Sequence, residues 1–347
     1  MKKTFEGKRI VVTGGTGSLG QTIVRRLLTG EMGNPERVTV FSRDEAKQHY
    51  MRLAFHQKKF VTDEIIYDRS QKALDFYIGD VRDLNSVKSA LRHTDVVINA
   101  AALKQVPNCE YFPYEAVLTN VLGPENIVRA VQENPVELVV GVSTDKAVKP
   151  INVMGMTKAL QERVFIQANL RCRGTRFVCV RYGNVLTSRG SVIPLFQEQI
   201  RNGGPVTITD LNMTRFLLSL DDAANAVFEA ARKALPGEIY VAKVSSTHVA
   251  NIARALLGDK KISVKVVGIR PGEKMHEVLI GEEEAPRTID VGQYYVITPM
   301  LPELQTRRNI KPTLVKEYSS GDNTLDLAGT IQLLENKGCW EDVCETS

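Results

Sequence analysis

Two short stretches near the middle of the chain carry side chains that can move protons. STDK, residues 143–146, sets Asp145 beside Lys146 at the end of an apolar run, and NVMGMTKAL, residues 152–160, carries Lys158 on what reads as the next helix. An adjacent carboxyl and amine act as acid and base when burial and neighbouring charges tune them. A second lysine nearby, or a cationic ring, would lower an amine's pKa. Met154 and Lys158 stand four residues apart, so on a helix they share one face. A thioether moves no proton, so acid–base chemistry in this region falls to Asp145, Lys146 and Lys158. The plainer alternative is a capping aspartate beside a solvated lysine.

To meet a substrate these residues need a frame. The first half of the chain supplies alternating elements. RIVVTG (9–14), RVTVFS (37–42), LDFYIGDV (74–81), DVVINAAA (95–102), ELVVGVS (137–143) and RFVCVRYGNV (176–185) read as strands. SLGQTIVRRLL (18–28) and DEAKQHYMRLAF (44–55) have helical spacing. Strands alternating with helices predict a parallel sheet covered on both faces. In such sheets ligands sit beyond the carboxyl ends of the strands, which is where STDK falls. Segment 56–73 is polar and reads as a long excursion. After about residue 185 short strands such as PVTIT and RFLLSL mix with helices such as DDAANAVFEAARKAL, which suggests a smaller second lobe. The tail from about 301 is polar, with one helical stretch, TLDLAGTIQLLENKG.

VVTGGTGSLG places Gly14, Gly17 and Gly20 between the first strand and the first helix. Glycines there allow a tight turn, bring backbone N–H groups close to a pyrophosphate and aim a helix N-terminus at it. The second strand ends in FSRDE. Chains that prefer NAD usually carry an acid there for the ribose 2′-hydroxyl. Here Ser42 and Arg43, with Lys47 in reach, are placed to meet a 2′-phosphate, which favours NADP; the alternative is that Arg43 is a solvated surface charge. Asp80 follows the third strand, where an adenine amino group would be reached. Farther on, RYGNVLTSRGSVIP carries Asn184 and Arg189, TDLNMTRFLLS carries Arg215, and GIRPGEKMHE carries Arg270 and Glu273. Guanidinium forks grip phosphate oxygens bidentately, so several converging on one cleft would suit a nucleoside diphosphate. Each taken singly reads as a surface charge.

The expected fold class is α/β, a Rossmann-type doubly wound parallel sheet with a smaller, partly interleaved α/β substrate-binding lobe. The expected boundaries are an NADP-binding domain over 1–185 with returning segments about 211–262, a substrate lobe over 186–210 and 263–300, and a C-terminal extension over 301–347. A length of 347 residues suits two domains, and 43% hydrophobic and 24% charged residues are ordinary for a globular chain. The net charge of +5 is spread without a block of like charges, which argues against nucleic acid. No apolar run approaches the roughly 18 residues of a membrane span, so no membrane insertion is expected. Lys2 and Lys3 lead into a charged turn and a short strand, not the apolar core of a signal peptide. Cysteines at 109, 172, 179, 339 and 344 have no metal-ligand spacing; they read as reduced thiols of a cytoplasmic protein, with no metal.

These motifs resemble a known family. TGGTGSLG, FSRDEAKQ, YIGDVRD, AAALKQVPNCEYFPYEAVLTNVLG, STDKAVKPINVMGMTKA, RYGNVLTSRGSVIPLF, ITDLNMTRFLLSLDDA and RPGEKMHEVLI are similar to extended short-chain dehydrogenase/reductases that act as nucleotide-sugar 4,6-dehydratases. The chain most resembles the UDP-N-acetylglucosamine 4,6-dehydratases of bacterial surface polysaccharide synthesis, in the capsule and O-antigen subgroup that inverts C5. The likeness runs from about residue 8 to about 300, and STDKA followed by NVMGMTKA is narrower than the glycine loop. The tail EYSSGDNTLDL resembles that subgroup too.

The resemblance implies a cycle. NADP⁺ takes the C4 hydride, water leaves across C5–C6, and the hydride returns to C6 as C5 is reprotonated. It implies Asp145 as the acid at the C6 hydroxyl, Lys146 as the base at C5, and Lys158 at the nicotinamide ribose. The implied cofactor set is Thr13, Gly14, Thr16, Gly17, Ser18, Leu19, Ser42, Arg43, Lys47, Asp80, Val81, Ala100, Ala101, Ala102, Lys104 and Lys158. On the side of the UDP-sugar it is Lys104, Ser143, Thr144, Met154, Asn184, Arg189, Thr207, Arg215, Arg270 and Glu273. Relatives form homo-oligomers, often hexamers. Most carry, at position 154, the tyrosine that removes the C4 hydroxyl proton; the inverting subgroup carries methionine. That proton then falls to neutral Lys146 or Lys158, directly or through water. An epimerase and a non-catalytic NADP-binding regulator are the other classes the sequence allows, though a simple epimerase has no use for an acid at C6.

Overall fold

A computed structural model of the chain describes residues 3–55, 73–186, 191–307 and 311–338. The expected excursion at 56–73 lies almost wholly outside the described residues. Six strands alternate with helices in the first half: β1 (Arg9–Thr13), β2 (Arg37–Ser42), β3 (Leu74–Ile78), β4 (Val96–Asn99), β5 (Leu138–Val142) and β6 (Arg176–Arg181). Between them run α1 (Ser18–Leu28), α2 (Glu45–Phe55), α3 (Leu84–Ala90), α4 (Val106–Tyr111), α5 (Pro113–Val117), α6 (Gly123–Glu133) and α7 (Val153–Arg171). The strands pair in parallel in the order β3-β2-β1-β4-β5-β6. That is the doubly wound order, with its reversal point between β1 and β4.

Burial explains the strands. β5, LVVGV, is buried at every residue, as a central parallel strand covered on both faces must be. Successive side chains point to opposite faces. Ile10 and Val12 enter one core, with Ile23 and Val140; Val11 enters the other, with Val139, Phe165 and Phe177.

The rest of the chain passes between two lobes. It forms β7 (Asn184–Val185), α8 (Val192–Arg201), β8 (Val206–Ile208), β9 (Thr214–Leu218), α9 (Leu220–Lys233), β10 (Ile239–Ala242), β11 (Ser246–His248), α10 (Val249–Leu257) and β12 (Val264–Val266). Then come β13 (Val278–Ile280), β14 (Thr288–Asp290), β15 (Tyr294–Ile297), β16 (Tyr318–Ser319), β17 (Thr324–Leu325) and α11 (Leu327–Asn336). A third core, in the smaller lobe, gathers Leu186, Ile193, Phe196, Ile208, Leu217 and Leu256.

Sheet membership departs from the expected boundaries in two places. β14 and β15 extend the large sheet beyond β10, although 263–300 was assigned to the smaller lobe. β9, β11 and α10, assigned to segments returning to the first domain, build the smaller sheet and its core instead. Short apolar runs carry no mark of the sheet they join, because partners far along the chain decide it. No helix of the described residues is long and apolar enough to cross a membrane.

Candidate active site

A cavity of about 740 Å³ opens beyond the carboxyl ends of β1 to β6 and is closed from the other side by segments of the smaller lobe. The β1–α1 turn forms one end. Gly14 has φ +65°, and a Cβ there would lie 2.7 Å from the Ala101 nitrogen. A Cβ on Gly20 would lie 2.5 Å from the Gly14 carbonyl oxygen. The turn therefore sits directly on the end of β4, a closeness only glycine permits. Gly17 stands at the N-cap of α1 with no side-chain cap, so the first N–H groups of the helix face the cavity end without a competing side chain. A dinucleotide pyrophosphate fits this cradle.

Thr16, Gly17, Ser18, Leu19, Ser42, Arg43, Lys47, Asp80, Val81, Ala100, Ala101, Ala102, Lys104 and Lys158 all line the cavity. Thr13 stands behind the wall: its hydroxyl bonds Asn99 Oδ1 at 2.6 Å and receives the Ala101 N–H at 3.3 Å, which ties β1 to β4. The Thr16 and Ser42 hydroxyls meet at 2.9 Å. Arg43 lies 3.8 Å from Asp80. Burial alone would raise the Asp80 carboxyl, but hydrogen bonds from Arg82 hold it below the usual carboxylate range. Lys47 is engaged by Asp44 at 2.5 Å, and Asp44 itself lines the cavity. The sequence reading passed over Asp44.

Of the proton-moving groups, Lys146 and Lys158 line the cavity, and Asp145 stands behind its wall, next to Lys146. β5 ends at Val142, and Asp145–Ala147 form a single 3₁₀ turn capped by Thr144. Asp145 is wholly buried. Its Oδ1 receives Thr144 Oγ1 at 2.8 Å and Lys146 Nζ at 3.1 Å, and its Oδ2 has no partner among the described residues. Lys146 is on the cavity wall and lies 3.3 Å from Glu277. Burial opposes its charge, but Asp145 and Glu277 together outweigh burial and hold the ammonium above the ordinary lysine value. Lys158 behaves oppositely: burial lowers it to about 8, while its amine donates to the Val142 carbonyl and to Gln161 Oε1, both at 2.6 Å. The expected lowering of an amine's pKa is thus found at Lys158 and not at Lys146, because only Lys146 has two carboxylates beside it.

Ser143 and Thr144, which the resemblance puts on the side of the UDP-sugar, line the cavity, but both hydroxyls have protein partners. Ser143 Oγ donates to Glu162 at 2.5 Å, and Glu162 also pairs with buried Arg181 at 2.7 Å. Met154 lines the cavity and packs with Cys109 and Ala116. The next residue sets the spacing: a Cβ on Gly155 would lie 2.2 Å from the Lys146 carbonyl oxygen. Asn152 caps α7, its Oδ1 receiving the Gly155 N–H at 2.8 Å.

Asn184, Arg215, Arg270 and Glu273 converge on the cavity from the smaller lobe. Asn184 Oδ1 is buried without a partner among the described residues. Arg215 donates to the carbonyls of Thr214 and Met275, at 2.7 and 3.2 Å. Arg189 lies outside the described residues. Thr207 is not part of the cavity wall among the described residues; it exchanges hydrogen bonds with Gln199 at 3.0 and 2.7 Å. Glu277 and Tyr182 line the cavity and were not singled out from the sequence. Glu277 had one visible signal, a carboxylate directly before the apolar strand VLI. Tyr182 had none. Its hydroxyl is held above the usual range by burial and by Asp145.

Residues 10–299 match the model of a family described as Polysaccharide biosynthesis protein. A UDP-glucose 4-epimerase of Rickettsia canadensis (strain McKiel) is 45% identical over 298 residues, 84% of this chain and 83% of that protein. A UDP-glucose 4-epimerase of Rickettsia felis (strain ATCC VR-1525 / URRWXCal2) is 44% identical over 343 residues, 96% of each. Among solved structures, Pen from Bacillus thuringiensis superposes with a TM-score of 0.85 at 32% identity, over 96% of this chain and 99% of that one. A dTDP-glucose 4,6-dehydratase from Streptomyces venezuelae, solved with NAD bound, shares the fold with a TM-score of 0.66 at 24% identity, over 96% and 99%.

Proposed function

Since the chain belongs to the polysaccharide biosynthesis protein family, among relatives that modify nucleotide sugars, we propose that it is a UDP-N-acetylglucosamine 4,6-dehydratase that inverts C5. Its product would be a UDP-2-acetamido-2,6-dideoxy-hexos-4-ulose for bacterial surface polysaccharide. The observation that supports this reading is the Asp145–Lys146 pair, an acid and an amine 3.1 Å apart, with Lys146 on the cavity wall and Asp145 buried directly behind it. Moving a hydride on and off C4 needs one proton-transfer group; elimination across C5–C6 needs a further acid and base.

NADP, when bound, would supply the acceptor for the C4 hydride and its return to C6, with no net reductant consumed. Lys158, at about 8, is partly neutral near neutral pH, which suits it to take the C4 hydroxyl proton that Met154 cannot. Lys146 would take the C5 proton and Asp145 would protonate the departing C6 hydroxyl. Arg215 and Arg270 would hold the diphosphate, with Asn184 and Glu273 beside them. NADP is favoured by Arg43, exposed at the rim, while the nearby acid Asp44 is already paired with Lys47.

Tyr111, Phe112, Tyr114, Met156 and Leu160 are exposed apolar side chains on α4, α5 and α7 and their junction, and they offer a face for a second copy of the chain. Cys109, Cys172 and Cys179 are buried thiols, the usage of a reducing cytoplasm.

The names of the Rickettsia relatives favour a second reading, 4-epimerisation. Incubating the pure protein with NADP⁺ and UDP-N-acetylglucosamine separates them by mass spectrometry. Loss of one water signals dehydration, an isomer of unchanged mass signals epimerisation, and unaltered substrate signals binding alone. Proton NMR in deuterated water then reports C5 configuration and exchange.

A further inference from the structure

Building on the dehydratase reading, we propose that Glu277 is a positioning residue for Lys146: it aims the amine into the cleft and holds its proton until Asp145 takes it. Glu277 directly precedes β13, which packs against the 145–147 turn. It is 2% exposed. A carboxylate that deep is costly unless other charges face it. Its Oε1 lies 3.3 Å from Lys146 Nζ and 3.9 Å from Arg215 Nε, and its Oε2 has no partner among the described residues. The backbone is pinned from both sides: the Glu277 N–H donates to Ser320 Oγ at 2.9 Å, and the Ser320 N–H donates to the Glu277 carbonyl at 2.8 Å. Ser320 Oγ also meets Thr214 Oγ1 at 2.8 Å. The carboxylate therefore has a fixed origin and little choice of reach.

The charges facing Lys146 come from four places. Asp145 lies on its own turn, Glu277 and Lys274 on the segment entering β13, Arg215 on β9, and Tyr182 lies beside Asp145. Lys146 Nζ donates to Asp145 Oδ1 and faces Glu277, so in the free protein the proton of the pair sits on Lys146. Elimination needs the reverse. One proton passing from Lys146 Nζ to Asp145 Oδ1 gives a neutral amine and a carboxylic acid, with Glu277 unchanged. The amine then takes the C5 proton, the acid gives its proton to the leaving C6 hydroxyl, and the starting charges return. No outside proton is consumed. Glu277 opposes the first transfer, so it sets how readily the pair arms itself.

The test is the acetylation rate of Lys146 by acetic anhydride at about pH 9, read by peptide mass spectrometry against exposed Lys260. Only the neutral amine reacts. In Glu277→Gln the normalised rate rises at least about threefold, since each unit of pKa is tenfold in neutral amine well below the midpoint. Glu277→Asp, with its carboxylate drawn back by one methylene, gives a smaller rise of the same sign, and it decides the matter if the Gln variant does not fold. No rise in either variant overturns the proposal. In turnover, the acidic limb of the kcat profile moves to lower pH in Glu277→Gln, with KM for the UDP-sugar altered less than about twofold; an unmoved limb overturns the catalytic half. A labelling rise in a protein that dehydrates nothing leaves the Glu277–Lys146 relation standing and removes the reaction built on it.

Discussion

The Asn152 side chain donates from Nδ2 to the Gly272 carbonyl at 2.8 Å while its Oδ1 caps α7. One residue thus joins the helix that carries Lys158 to the loop that carries Arg270 and Glu273. Asn152→Ala loses a cap of roughly 0.5–2 kcal/mol and frees that loop. We expect a lower Tm and a rise in KM for the UDP-sugar larger than the fall in kcat. An unchanged KM would show that the loop is held by other contacts.

Lys158 makes stability depend on alkaline pH. Its folded value is about 8, against 10.5 for an unperturbed lysine. Between these values the unfolded chain binds more protons than the folded one, so stability rises with pH. Below about pH 8 the amine is charged in both states and the burial penalty is felt in full. Thermal melts of the cofactor-free protein should show Lys158→Met lacking the upward contribution between about pH 8 and about pH 10 that wild type has. Parallel curves would place the folded lysine near its ordinary value.

The roles proposed for the three proton-moving residues separate by stage. Asp145→Asn and Lys146→Met should still oxidise C4 and so accumulate reduced nicotinamide, seen by its near-ultraviolet absorbance, but release no dehydrated sugar. Lys158→Met should accumulate neither. Reduced cofactor at wild-type rates in Lys158→Met would move the first proton transfer to another group.

On the proposed reading Arg43 selects NADP over NAD. Arg43→Ala should weaken NADP⁺ binding about tenfold, as loss of a charge-assisted contact to a 2′-phosphate implies, and leave NAD⁺ within about twofold. Fluorescence titration of both cofactors measures this. Equal weakening of both would assign Arg43 to the shared part of the dinucleotide, or to its pairing with Asp80.

Much of this frame was legible because it is local. The six parallel strands carry their burial in continuous apolar runs such as LVVGV, and the glycine turn is a backbone requirement written in residue type. The site was legible less evenly. Lys158 and Lys146 look alike in sequence, yet one loses basicity and the other gains it, because Asp145 and, from 131 positions along the chain, Glu277 both face Lys146. β14 and β15 were assigned to the wrong lobe for the same reason: pairing with β10 is a long-range event. Thr207 was carried by resemblance alone, and its link to Gln199 is invisible without coordinates.

The close approach at Gly155 bears on how such a site can change its chemistry. The helix meets the Lys146 carbonyl through an absent side chain at 155, not through the side chain at 154. The two positions are therefore independent parts. On the proposed reading, position 154 could exchange a proton carrier for an inert thioether without dragging Asp145 and Lys146 out of place. A reaction centre built this way would be modular: one proton route could be lost and another recruited while the groups proposed for elimination stay where they were.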